Sequence, residues 1–61
     1  MDREFNMPQL IQYVWDNDLY DTRFTSTDNE VVLEFFEDDD WDMYGNCNKE
    51  TLFRLSKMEK I

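Results

Sequence analysis

A dense run of carboxylates constrains this chain more than any other feature. Eight Asp and Glu residues fall within the fifteen positions 28–42, ending in the sequence Glu-Asp-Asp-Asp-Trp-Asp at 37–42, and no Lys, Arg or His lies among them. Like charges held this close repel one another and lower the stability of a compact state. Stability must therefore come from elsewhere in the chain, and we expect a domain that keeps this run to gain something from its negative field.

Aromatic side chains are the available source of that stability. The 61 residues make a single domain, 1–61, and a domain of this size buries only about 60% of the surface that its unfolded form exposes. One Cys excludes an internal disulfide. Ten aromatic residues (2 Trp, 3 Tyr and 5 Phe) compensate, since each buries roughly 150–250 Å². The composition indicates a globular chain with a small, bulky core.

The charge balance restricts the partners. Acids outnumber bases 15 to 6, for a formal net charge of −9, and four of the six bases lie in 49–61. Nucleic acids and anionic membranes would be repelled, so we expect neither as a direct partner. No apolar run approaches the roughly 20 residues that span a bilayer, and the start, Met-Asp-Arg-Glu-Phe-Asn, is unlike a signal peptide. These features predict a soluble, cytoplasmic protein with a reduced Cys47.

Local signals predict a helix at about 7–17. Asn6 is a suitable N-cap, Pro8 fits the first turn, and Gln9 stands three residues after Asn6 as in a capping box. Phe5 and Leu10 have the spacing of a hydrophobic staple. The apolar residues of the segment recur at the i, i+3, i+4, i+7 and i+8 positions of one helical face: Met7, Leu10, Ile11, Val14 and Trp15.

Three segments have the composition of strands, at about 20–25, 30–36 and 40–44. Ser-Thr-Asp-Asn at 26–29 separates the first two and predicts a hairpin. The second segment is apolar on both faces, so we expect it inside a sheet. In the third, Trp41 and Met43 point away from the face that carries the aspartates.

The last ten residues fit two structures. Aliphatic residues recur at every third position from 52 to 61, which suits a helix, whereas residues 51–56 alternate as a strand would. We expect a single turn at 48–51 and a strand at about 52–58, which would lay Arg54 and Lys57 beside an acidic neighbouring strand. The predicted fold class is α+β, with the N-terminal helix packed on a small, mainly antiparallel sheet of three to four strands.

The order of helix, hairpin, acidic strand and a terminal Glu-Thr-Leu-Phe-Arg-Leu segment at 50–55 resembles that of the short acidic accessory proteins of bacteriophages and other mobile elements. The resemblance covers the whole chain in size and pattern. It implies a stoichiometric inhibitor of host defence or replication enzymes, in several members of the class through imitation of DNA, that acts in the host cytoplasm. It assigns no functional residue.

Common catalytic groups are missing from the sequence. The absence of His excludes Ser-His-Asp and Cys-His systems, one Cys cannot form a CxxC pair, and one Gly excludes dinucleotide fingerprints and P-loops. A carboxylate pair remains for acid-base chemistry, but so small a domain has little depth for a water-excluding cleft. Residues 40–45 match positions 1, 3 and 6 of an EF-hand loop, yet position 12 is Thr51 instead of Glu. We expect no enzyme activity, no cofactor and no dedicated metal site.

The acidic strand is the candidate binding site. Residues two apart in a strand share a face at a spacing of roughly 6.6 Å, so Asp38, Asp40 and Asp42 would form a row, with Glu30 and Glu34 as a parallel row. A DNA duplex carries one phosphate per roughly 1.7 Å of axis, and two such rows approach that density. Including aromatic anchors, the candidate partner-binding residues are Glu30, Glu34, Glu37, Asp38, Asp39, Asp40, Trp41, Asp42 and Tyr44.

Two functions remain open on the sequence. In the first, the acidic rows bind the basic nucleic-acid-binding surface of a host enzyme as a DNA mimic; a nuclease, a CRISPR effector, a restriction enzyme or a repair enzyme would be such a target. In the second, an aromatic or apolar patch serves a protein-protein regulator such as an antitoxin, a repressor antagonist or an adaptor. The acidic run then only solubilises the chain. For Trp41 itself two roles remain open, an anchor of the interface or a side chain that fills the core. A homodimer paired through edge strands is a third arrangement, against a monomer.

Overall fold

The computed structural model describes residues 3–37 and 40–61. The fold is α+β, as the sequence predicts, with one helix and one antiparallel sheet. The sheet has five strands where the sequence predicts three to four, and its spatial order is β1-β5-β2-β3-β4. The elements in chain order are β1 (Glu4–Phe5), α1 (Met7–Asp16), β2 (Thr22–Ser26), β3 (Val32–Glu37), β4 (Asp40–Tyr44) and β5 (Phe53–Lys60).

The start of α1 follows its local signals. The backbone N–H of Gln9 donates to Asn6 Oδ1 at 3.0 Å, and the backbone N–H of Asn6 donates to Gln9 Oε1 at 3.0 Å, which completes the capping box. Phe5 and Leu10 both lie in the core, as a hydrophobic staple requires. The helix ends at Asp16, one residue earlier than the sequence predicts, with Asn17 as its C-cap.

The turn between β2 and β3 is organised by one buried serine. Ser26 Oγ donates to Asp28 Oδ1 at 2.6 Å and accepts from the backbone N–H groups of Glu30 and Val31 at 3.2 and 3.0 Å. The bond from Ser26 is the largest cause that lowers the pKa of Asp28 below its ordinary value, and the backbone N–H of Glu30, which donates to Asp28 Oδ1 at 3.0 Å, adds to it. The turn occupies more residues than the sequence suggests, so β3 begins at Val32 instead of 30.

One face of the sheet forms the core together with α1. Alternate residues of β2 and β3 are buried there, and the helix adds Leu10 and Val14. The opposite faces of β2 and β3 are only half-buried. As the sequence predicts, β3 lies inside the sheet, between β2 and β4. The buried apolar side chains are Phe5, Leu10, Val14, Phe24, Val31, Leu33, Phe35 and Phe53.

Gly45 directly follows β4 and lies against the β2–β3 turn. Gly45 has φ +95°, and a Cβ at this position would lie 2.2 Å from the carbonyl oxygen of Glu30. Both the left-handed backbone and the close approach require glycine. The end of β4 is thereby fixed next to Glu30.

The C-terminal segment is a strand, which settles the alternative that the sequence left open. It pairs with β2 on one side, while Phe53 and Arg54 pair with Phe5 and Glu4 of β1 on the other. The expectation that Arg54 and Lys57 lie beside the acidic strand is wrong, because β2 and β3 separate β5 from β4. Arg54 binds Glu4 instead, at 2.6 Å.

A strand of two residues such as β1 is too short to show a periodicity, so no local pattern predicts it. In the part of the chain described, no helix has the length and apolar character needed to cross a bilayer.

Candidate interaction surface along strand β4

Strand β4 forms one edge of the sheet. It pairs with β3 alone among the described strands, so its outer side presents backbone N–H and C=O groups that no described strand covers. Four of its five residues are exposed and Trp41 is half-buried. By contrast, β2 on the inside of the sheet alternates between buried and half-buried residues. Among the described strands, β4 therefore has the largest share of exposed residues.

The aspartates of β4 lie on the face of the sheet opposite the core. In the β3–β4 register, Trp41 and Met43 stand opposite Phe35 and Leu33, which are buried in the core. Alternation then places Asp40, Asp42 and Tyr44 together on the other, open face. The predicted separation of the aspartates from Trp41 and Met43 is confirmed.

The predicted second row of charge is largely missing. Asp42 does stand opposite Glu34, but the Nε and Nη2 atoms of Arg23 both lie 2.8 Å from Glu34 Oε2. The Glu34 side chain is only 13% exposed, and Arg23 holds it in a charge-assisted pair within the fold. Glu30 lies before the start of β3, in the turn. The expectation that Glu30 and Glu34 form a parallel row on the neighbouring strand is therefore wrong, because only Glu34 lies on β3.

The negative charges on the open face change the pKa of Tyr44. The charge of Glu34 is the largest cause that raises the pKa of Tyr44 above its ordinary value, and the charge of Asp42 adds to it. Arg23 acts in the opposite direction. The phenol, Asp42 and the Arg23–Glu34 pair thus form one electrostatically coupled group on the open face.

The core-side face of β4 is apolar. Trp41 packs on Phe35 with the ring centroids 6.4 Å apart and an interplanar angle of 29°. Met43, two residues after Trp41, is 41% exposed. It lines a shallow notch of about 310 Å³. The notch lies between β4, the first turn of α1 and the segment after Gly45; its lining is Met7, Pro8, Met43, Cys47, Asn48 and Lys49.

Of the remaining predicted site residues, the two that the structure describes, Glu37 and Asp40, lie at the other end of β4. Glu37 is exposed and pairs in register with Asp40 across a bulge in the β3–β4 ladder. Asp38 and Asp39 lie outside the described residues. Within 3–37 and 40–61, no Lys or Arg forms an ion pair with Glu37, Asp40 or Asp42. These three carboxylates, which we call the acidic edge, carry unneutralised charge.

The structure separates the two predicted aromatic anchors. Trp41 faces the core side and Tyr44 the open side, so they cannot act on a partner as one aromatic patch. Two features of the site were not predicted from the sequence: the pairing of Arg23 with Glu34 and the notch beside Met43. A correct hairpin register would have revealed the first; the second depends on which segments meet in space, for which the sequence carries no local signal.

Comparison of the chain with protein-family models, with curated proteins and with solved structures gives no match. Among the described residues, no group of three or more Cys, Asp or Glu side chains has the arrangement of a metal site. The surface along β4 is thus characterised by its charge, its open backbone edge and its notch.

Proposed function

We propose that this protein is a small inhibitory binding module of the phage accessory type, which acts in the cytoplasm of a host cell. It binds the basic, nucleic-acid-binding surface of a host enzyme and blocks it as a DNA mimic. The observation that carries the proposal is the acidic edge: three exposed carboxylates, Glu37, Asp40 and Asp42, without a basic partner in the described chain. The protein has no catalytic role in this proposal.

The contrast with the other acidic groups of the sheet supports this function. Glu34 and Glu4 are each paired with an arginine, so their charges stabilise the fold. Glu37, Asp40 and Asp42 repel one another and make no such contribution. A field of this kind accelerates the encounter with a cationic surface and makes association strongly dependent on salt.

The geometry of the acidic edge suits a groove lined by Lys and Arg. Asp40 and Asp42 are two residues apart on one face of a strand, a spacing of roughly 6.6 Å. Both lie at the rim of the sheet, where no described strand stands between them and solvent. A second carboxylate pair, Glu37 and Asp40, extends the charge around the β3–β4 connection.

The test begins with affinity capture from a bacterial lysate on the immobilised chain at about 50 and about 500 mM salt. The captured enzyme is then challenged with duplex DNA. A DNA mimic and duplex DNA occupy the same channel, so DNA should release the enzyme from the chain, and the chain should inhibit the enzyme's DNA binding. An enzyme that binds the chain and DNA at the same time would contradict mimicry.

A matched pair of triple variants locates the charge effect. The first variant combines Glu37→Gln, Asp40→Asn and Asp42→Asn in the acidic edge. The second combines Asp16→Asn, Asp18→Asn and Asp21→Asn, at the end of α1 and in the following loop. Each variant changes the formal net charge from −9 to −6. Both triples have the same net charge. We expect the first to weaken binding roughly a hundredfold and the second by less than about fivefold, because short-range charge pairs matter more than net charge.

A second candidate function is favoured by the apolar side of β4. The exposed Met43 and the notch beside it offer a contact that does not depend on charge. A regulator such as an antitoxin, repressor antagonist or adaptor would use it. In that case Met43→Ala abolishes capture, the acidic triple leaves it intact, and the affinity changes little with salt.

A further inference from the structure

The outer side of β4 is built like a site for strand addition. In an antiparallel ladder every second residue of an edge strand turns its backbone N–H and C=O away from the neighbouring strand. In the described chain nothing pairs with these groups of β4. An extended peptide that binds there gains main-chain hydrogen bonds, which give affinity without any particular sequence.

The two faces of β4 specify which side chains such a peptide carries. On the open face, Asp40 and Asp42 favour Lys or Arg on the incoming strand. On the core side, Met43 and the notch favour an apolar side chain. Lys49 also lines the notch and disfavours a second cation there. Since successive residues of a strand point to opposite faces, the matching peptide alternates basic and apolar residues.

A second copy of this chain is a poor occupant of the same edge. An antiparallel pair of β4 strands centred on Trp41 or on Asp42 places aspartates opposite aspartates. Like charges directly opposite each other in a sheet are destabilising. Charges on an edge strand commonly prevent this kind of self-association. The acidic edge therefore disfavours a homodimer through β4 in these two registers and favours a basic strand.

We propose that β4 binds its partner by strand addition, and that the bound element is an extended segment of a basic protein in which Lys or Arg alternates with apolar residues. This inference rests on the proposed function, because it describes how the acidic edge holds a basic surface. The basic side chains pair with Asp40 and Asp42, one apolar side chain fills the notch beside Met43, and the backbones join in a sixth strand.

The test uses three short capped peptides and the intact chain. The first alternates Lys and Val, the second is a block isomer with the same composition but all Lys residues in one half, and the third is the alternating peptide with N-methyl groups on every second amide. Titration calorimetry gives the affinities. The alternating peptide should bind roughly tenfold or more tightly than the block isomer, a difference of about 1.4 kcal/mol, and N-methylation on the edge-facing side should remove that advantage.

Two methionine variants serve as the matched control. Met43 and Met58 are 41% and 37% exposed, and both lie on strands, but Met58 is on β5. Met43→Ala should weaken the alternating peptide roughly fivefold, because the notch loses a wall, and Met58→Ala should leave its affinity unchanged. Amide hydrogen exchange within residues 40–44 should slow when the peptide is bound, since strand addition protects outward N–H groups.

The outcomes separate this inference from the proposed function. Equal affinity of all three peptides, with a strong salt dependence, would mean that the acidic edge attracts cations without strand addition; the inference would be overturned and the proposed function would stand. Absence of binding by any of the peptides at low salt would overturn the inference and also count against the acidic edge as a site for basic proteins.

Discussion

The two edges of the sheet differ in whether their charged side chains have partners within the described chain. At the edge formed by β1 and its neighbour β5, Arg54 pairs with Glu4 of β1, and Lys57 Nζ donates to the backbone carbonyl of Ser26 and to Asn29 Oδ1 at 2.9 and 2.6 Å. At the β4 edge, the acidic edge has no basic partner in the described chain. Charges at the first edge hold the chain together, whereas charges at the second only repel. This difference is the basis of our proposal that the β4 edge binds an external partner.

The edges also differ in how they are anchored in the core, and this difference has the largest predicted effect. Phe53 of β5 is fully buried, while Met43 of β4 is 41% exposed. Phe53→Ala should lower the free energy of unfolding by about 3–5 kcal/mol through loss of burial and a residual cavity. Met43→Ala should cost less than about 1 kcal/mol. Urea unfolding followed by circular dichroism measures both free energies. Equal losses in the two variants would show that β4 and β5 are anchored in the core to the same extent.

Gly45 fixes the exit of β4 and should give the next largest effect. Gly45→Ala forces a side chain into the left-handed region and against the Glu30 carbonyl, so we expect a loss of about 2 kcal/mol in the free energy of unfolding. The control is Asp18→Gly, since Asp18 has φ +52° and glycine tolerates that backbone. A Gly45→Ala variant as stable as the original chain would show that β4 is not held against the turn.

Removing one charge at each edge should change stability in opposite directions. Asp42 stands opposite Glu34, and like charges at such positions are unfavourable, so Asp42→Asn should stabilise the chain by about 0.5 kcal/mol. Arg54→Ala breaks a largely exposed ion pair and should destabilise it by about 0.5 kcal/mol. Thermal unfolding of the two variants gives the signs. A destabilised Asp42→Asn variant would mean that Asp42 supports the fold.

The smallest predicted effect is the titration of Tyr44. Its pKa is raised above 10.0 by Glu34 and Asp42, so the folded chain favours the neutral phenol. The stability that this provides is present below a pH of about 10 and is lost as the pH rises through the folded pKa. Phenolate absorbance can be followed in a chain with Tyr13→Phe and Tyr20→Phe. Glu34→Gln should lower the midpoint of the Tyr44 titration, and Arg23→Ala should raise it. Shifts of the midpoint in the opposite directions would show that Tyr44 does not lie beside the Arg23–Glu34 pair.

Local signals in the sequence predicted the elements that depend on them. The capping box at Asn6 and Gln9 fixed the start of α1, and the alternation around Trp41 gave β4 its observed bounds. The sheet order and β1 depend on pairings between distant segments, such as Glu4 with Arg54. No local pattern encodes such pairings, so the number of strands and the neighbours of β5 were wrong.

For the candidate site, the acidic residues could be predicted from the sequence, but the basic residue that pairs with one of them could not. Placing the start of β3 at 30 instead of Val32 shifts the hairpin by two residues and moves Arg23 away from Glu34, its observed neighbour. Because the turn was predicted to end two residues too early, the pairing of Glu34 with Arg23 was not predicted. The prediction of an acidic surface on β4 stays a prediction about function, because charge and position alone do not identify a partner.

The most direct test of the account asks which edge of the sheet a partner contacts. The ¹⁵N-labelled chain is titrated with the enzyme captured from lysate, and backbone amide signals are followed. We predict that the signals of 40–45 and those of the notch residues Met7 and Cys47 shift or broaden, while those of residues 54–60 in β5 remain in place. Perturbation confined to β5, with β4 unchanged, would contradict the claim that the acidic edge is the binding surface.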